Sequence, residues 1–235
     1  MNEPTAGTMI GVVHRDPAGE TRLLAALRQA RPDWITLEVS PYAVEYRRRQ
    51  GPELLAQLAE RTPPNQAEHG EIRAIREMLQ IPFEVRAAEL YRAECGAEVL
   101  LVDDSEVSRE LLADVAAELL TAENLRALVR RPDIPLSRTV DSFYRRARRL
   151  LADEPVPPAL LGFSGERLAL LQVRDEKMEQ VIRPLLEARR ERRWVHVGGV
   201  FHLLRVRGLR LLWERFAGRG VERRFLDEFA VDDED

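Results

Sequence analysis

Short, uninterrupted apolar runs constrain this chain more than any other feature. Met9, Ile10, Gly11, Val12 and Val13 form one such run, ending at His14. Trp34, Ile35, Thr36 and Leu37 form a second, ending at Glu38. Between them, Leu23, Leu24 and Leu27 recur at helical spacing. Strands that are apolar on both faces belong to a parallel sheet covered by helices on each side, and strand, helix, strand in that order is a βαβ unit. The expected fold class is therefore α/β, with a mostly parallel central sheet and helices on both faces.

The rest of the chain extends this pattern. Helical periodicity fills 41–95, with breaks expected at Gly51-Pro52 and at Thr62-Pro63-Pro64. A third strand is expected over 97–102, followed by Asp103, Asp104 and a helix from Ser105. A long helix is expected over 166–190, a fourth strand over 194–198, a helix bearing Leu209, Leu212, Trp213 and Phe216, and a last strand over 221–226. Gly11-Val12-Val13-His14 and Gly199-Val200-Phe201-His202 each close a strand, which suggests a duplicated strand-GxxH-helix unit. One domain over 1–235 is expected: a first βαβ unit (1–40), a helical insertion (41–95), the third strand and helices (96–190), a second GxxH unit (191–226) and an acidic tail (227–235).

Composition removes several function classes. Forty acids against 36 bases give a formal charge of -4, and no basic, aromatic platform stands out, so no nucleic-acid partner is expected. No apolar stretch is long enough to span a bilayer, and the first residues lack the basic-then-apolar order of a secretory signal. The default address is the cytoplasm. A single cysteine, Cys95, rules out an intrachain disulfide or a multi-thiolate zinc site, and it reads as an inert helix-end residue. The only lysine, Lys177, lacks a phosphate-loop context and leaves little scope for Schiff-base chemistry. Gly162-Phe163-Ser164-Gly165 falls short of a nucleophile elbow, and Ser164 reads as a helix N-cap. Acid, histidine and metal chemistry remain.

Ligands of a parallel sheet bind at the carboxyl ends of its strands, where His14, Glu38 and His202 are expected. Two imidazoles and a carboxylate suit Zn, Mn, Co or Fe with positions left for water. A preceding glycine is expected to let the backbone turn sharply and approach a ligand closely as the chain leaves the strand. Asp103 and Asp104 read as helix-start residues, His69 as solvated and His196 as packed within its strand. On the long helix, Leu171, Met178, Val181, Ile182 and Leu185 share a stripe that also carries Arg174 and Asp175. Two charges facing inward need partners or a cleft.

Together these motifs, with Pro32-Asp33-Trp34-Ile35-Thr36-Leu37-Glu38, Arg174-Asp175-Glu176-Lys177-Met178 and Val197-Gly198-Gly199-Val200-Phe201-His202, resemble the TraB family. That family is similar to the Tiki metalloproteases and to the erythromycin esterase and ChaN-like group. Val12 and Val173 depart from its usual residues. The resemblance implies a hydrolase of a peptide or small amide or ester, with His14, Glu38 and His202 binding a divalent metal (Mn, Co, Zn or Fe) or activating water. In this reading Arg174 steadies an anionic intermediate or substrate carboxylate, and Asp175 orients it or His202. The esterase-like branch implies the same residues without metal. The ChaN-like branch implies haem binding, and the competing reading is a non-catalytic module that uses the same cleft for haem or a peptide. Oligomeric state is not implied.

Overall fold

The structure, a computed structural model, describes residues 7–113, 115–152 and 154–229. Five strands are described: β1 (Gly7–Val12), β2 (Trp34–Leu37), β3 (Glu98–Leu101), β4 (Trp194–Gly199) and β5 (Glu222–Phe225). They form one sheet in the order β3-β2-β4-β1-β5, and each pairing is parallel. Every residue of β2 and β4 is buried, as expected of central strands covered on both faces. The edge strand β5 carries Glu222, Arg223 and Arg224 and buries only Phe225 fully. Charges suit an edge because they deter pairing with another chain.

Between β1 and β2 lies α1 (Gly19–Ala30). The insertion between β2 and β3 holds α2 (Pro41–Arg61), α3 (Gly70–Leu79) and α4 (Phe83–Cys95). Between β3 and β4 come α5 (Ser105–Ala113), a π-helical turn (Val115–Leu119), α6 (Ala122–Val129), α7 (Leu136–Leu150) and α8 (Gly165–Ala188). A short α9 (Leu212–Phe216) precedes β5. Ser164 caps α8 as expected, its Oγ accepting from the Arg167 N–H at 3.3 Å.

The connectivity of the two ends is symmetric. From β1 the chain passes over β4 to reach β2, and from β4 it passes over β1 to reach β5. Exchanging β1 with β4 and β2 with β5 reproduces the order of these four strands reversed, as a twofold axis along the strands would, and β3 stands outside the symmetry. The two GxxH units are thus interleaved. Their leading strands are neighbours at the sheet centre, in register with Gly11 opposite Gly198. Both histidine turns leave the same end of the sheet side by side.

Some expectations need correction. No break occurs at Gly51-Pro52: α2 runs through both residues. Its first half packs Ala43 and Val44 on the main core and its second half packs Leu54 and Leu58 on a separate cluster, so burial at both ends outweighs the lost Pro52 donor. The helix expected around Leu209 shrinks to α9, because Gly208 turns the chain at a φ of 78°. On α8, Val181 is exposed, and the buried stripe runs Leu171, Asp175, Met178, Ile182 and Leu186. His69 is buried, its Nδ1 accepting the Glu71 N–H and capping α3. Of the acidic tail, residues 230–235 lie outside the described residues, as do residues 1–6.

Candidate functional site

The Glu38 side chain stands at the carboxyl end of β2, buried beneath a cleft of about 640 Å³ that His14, Arg174 and His202 also line. The expected convergence of His14, Glu38 and His202 is therefore a feature of the molecule. Glu38 is heavily bonded. Its Oε1 accepts from His202 Nε2 at 2.8 Å and from Arg174 Nη2 at 2.7 Å, and its Oε2 accepts the Gly199 N–H at 2.6 Å. Burial pushes this carboxyl up, but His202 and Arg174 outweigh it and hold Glu38 well below its ordinary range.

His202 sits on a short 3-10 turn (Val200–Leu203) directly after β4. Its Nδ1 donates to the buried Asp175, and Asp175 also accepts the Leu212 N–H at 2.8 Å. Asp175 thus stands behind His202 and is not part of the cleft lining. Burial opposes a charge on His202, yet Asp175 and Glu38 prevail and hold it at about 10. At neutral pH it is an imidazolium donating from both nitrogens.

Arg174 lines the cleft with its guanidinium committed. Nε and Nη2 donate to Asp103 at 3.1 and 2.8 Å, and Nη2 also reaches Glu38. Among the described residues nothing is bonded to its Nη1. Asp103 is thus a positioning residue for Arg174. Asp104 does cap α5, accepting from the N–H groups of Glu106 and Val107, and pairs with Lys177.

His14 differs from His202 in being open. Its side chain is 48% exposed, while its Nδ1 bonds to Glu84 Oε1 at 2.7 Å, and Glu84 is 1% exposed. Burial disfavours the charged His14 ring, but the Glu84 hydrogen bond and charge more than offset this and raise its pKa above 6.5. Nε2 is left facing the cleft, 3.9 Å from Glu38 Oε2. Glu84 Oε2 is buried without a hydrogen-bond partner, a cost tolerated most often where a group has work to do. No feature of the sequence distinguished Glu84, since an acid in the first turn of α4 reads as an ordinary helix-start residue.

The loop carrying His14 is braced from α7. Tyr144 Oη accepts the Val13 N–H at 3.1 Å and donates to Asp16 Oδ2, and Asp16 also pairs with Arg22 at 3.0 Å. His196 stays inside β4, as expected. Its Nδ1 bonds to Thr36 Oγ1 at 3.0 Å, and burial pushes it down to about 3, so it remains neutral.

The motif glycines do not make the expected sharp turn, but they stand where a side chain would crowd the site. Gly11, Gly198 and Gly199 all keep ordinary φ values. A Cβ on Gly11 would stand 2.9 Å from Phe225 and 3.1 Å from Leu203. A Cβ on Gly199 would stand 3.0 Å from His14 Nε2 and 3.5 Å from both Glu38 Oε2 and His202 Cδ2, in the centre of the site.

No family model, curated protein or solved structure matches this chain.

The metal expectation was tested against the donor set. Among the described residues no three His, Cys, Asp or Glu groups are placed to hold one ion. The hydrogen bonding gives the reason. A metal needs neutral imidazole nitrogens and free carboxylate lone pairs. His202 donates from both nitrogens, and Glu38 is taken up by His202, Arg174 and Gly199. In this arrangement His14, Glu38 and His202 do not fit a metal centre.

Proposed function

We propose that this protein is a TraB-like hydrolase of a peptide or small amide or ester, with His14 as a metal-independent general base. One observation carries the reading: a half-exposed imidazole faces the cleft with its other nitrogen held by a buried carboxylate. That is how a histidine base is oriented in acyl-transfer sites. A water contacting both His14 Nε2 and Glu38 Oε2 at about 2.8 Å closes their 3.9 Å gap with an angle near 90°.

In the reaction, His14 Nε2 takes a proton from this water as its oxygen bonds to the substrate carbonyl carbon and the C=O π pair moves onto oxygen. Collapse of the tetrahedral species breaks the bond to the amine or alcohol. The leaving group takes the proton from His14, so one water is consumed and the base is regenerated. The Arg174 guanidinium, held by Asp103 and Glu38, supplies positive charge for the developing oxyanion. Asp175 and Glu38 keep His202 cationic in the cleft wall, adding to the same field.

The test is turnover of apolar peptide amides and esters by chelator-treated protein. Wild type is expected to keep its activity, and His14→Gln to lose it. Activity lost to chelator and restored by Mn, Co, Zn or Fe would instead support His14, Glu38 and His202 as ligands. A Soret band on haem addition, with no turnover, would support the binding-module reading.

A further inference from the structure

The cleft extends past the reacting groups, and its outer half differs in chemistry. Arg167, Leu170, Leu171 and Arg174 recur at i, i+3, i+4 and i+7 on α8 and all line it. Phe143 and the edge-to-face pair Phe163 and Phe201, with ring centroids 4.8 Å apart, line it as well. Leu170 is more than a third exposed, so the apolar wall is open to a ligand.

Among the described residues two arginines in this region have no carboxylate partner. Three arginines line the cleft, and of these Arg174 is paired with two carboxylates. Arg15 and Arg167 also line the cleft, yet among the described residues neither forms an ion pair. Arg167 only lies over the Phe163 ring at 4.3 Å. The exposed Glu166 shares the rim, leaving the outer cleft a net charge of +1 from two arginines less one acid. A guanidinium over an aromatic ring can still donate N–H groups to a carboxylate.

Resting on the hydrolase reading, we infer that the cleft selects short apolar peptides ending in a free carboxylate, which Arg15 and Arg167 bind while the aromatic wall takes the side chains. The spacing supports this. Arg167 precedes Arg174 by seven residues, about 10 Å along the helix, and an extended peptide covers that distance in about three residues. Arg174 itself is not the carboxylate receptor, because Asp103 and Glu38 already engage it.

Binding tests this separately from catalysis. Calorimetry would compare N-acetyl-leucyl-phenylalanyl-leucine as the free acid and as the carboxyl amide, on the full chain, with cleavage of both followed by chromatography. The acid is expected to bind at least tenfold more tightly. Arg15→Gln with Arg167→Gln should bring the acid down to the level of the amide, and Glu166→Gln should tighten the acid. Circular dichroism checks that each variant folds. Equal binding of acid and amide, binding of neither, or a preference that survives loss of both arginines overturns the inference, whatever the cleavage result. A preference for the acid without cleavage of either probe leaves the inference standing and removes the hydrolase reading.

Discussion

At the scale of single residues, His14 and Glu84 set the expected pH response. The base must be neutral, so activity should fall as pH drops through the raised His14 value. Glu84→Gln removes the carboxylate that raises it, and the acid limb of kcat/KM should move to lower pH while the maximum falls. A limb unmoved by Glu84→Gln would remove His14 from the base role. Gly199→Ala offers a steric test at the same place. Its methyl group would fill the space between His14 Nε2 and Glu38 Oε2, so a loss of about 100-fold or more in kcat is expected. The His14 ring, 3.0 Å from that methyl, must give by a few tenths of an ångström, and near-wild-type activity in Gly199→Ala would show that no water acts there. Of these three residues, the sequence pointed to His14 and to Gly199. Glu84 was hidden because its importance comes from α4 lying across from the β1 loop, a contact 70 residues apart.

Among the elements, α7 braces the catalytic loop although nothing in its own sequence suggests this. Tyr144 reads as one apolar residue on an Arg-rich amphipathic helix. In the fold its hydroxyl joins Val13 to Asp16. Tyr144→Phe leaves a partly buried N–H and a carboxylate short of partners, and a loss of about 1–3 kcal/mol in urea unfolding is expected. Turnover should also fall, with the pH limb unmoved, because Glu84 still holds the His14 ring. Unchanged urea stability would show that the loop stands without this brace. The phase of α8 was better marked in sequence. Arg174 and Asp175 on an apolar stripe announced inward charges, since burying them unpaired is so unfavourable. Which faced the cleft and which stood behind His202 depended on where β4 ends.

For the whole molecule, the buried ionised groups define a stability window. His202 is raised from 6.5 to about 10, so its contribution is fully present below about 6.5 and is lost as pH rises through about 10. Glu38 is depressed, so its contribution is present above about 4.5 and is lost as pH falls through its lowered value. His196 is pushed down to about 3, and its contribution, present above about 6.5, is lost as pH falls toward that value. Thermal melts should therefore show Tm falling from neutral pH toward about 10 and again in acid. His202→Gln should flatten the alkaline side. A wild-type Tm that is level across that alkaline range would mean His202 is not held as a cation between Asp175 and Glu38.

The sequence by itself determined the parallel α/β class, the positions of the strands, the helical insertion and three of the groups at the strand ends. Hydrophobic period and strand termini are local properties, written in consecutive residues, so they are legible without the fold. Only the tertiary structure decided that β1 and β4 are neighbours, that Glu84 and Asp103 enter the site, that α2 continues through Pro52, and that the motif glycines make room instead of turns. Each of these depends on groups far apart in the chain meeting within a few ångströms. Burial and hydrogen bonding at that distance are settled by how the elements pack, and no short stretch of sequence carries that information.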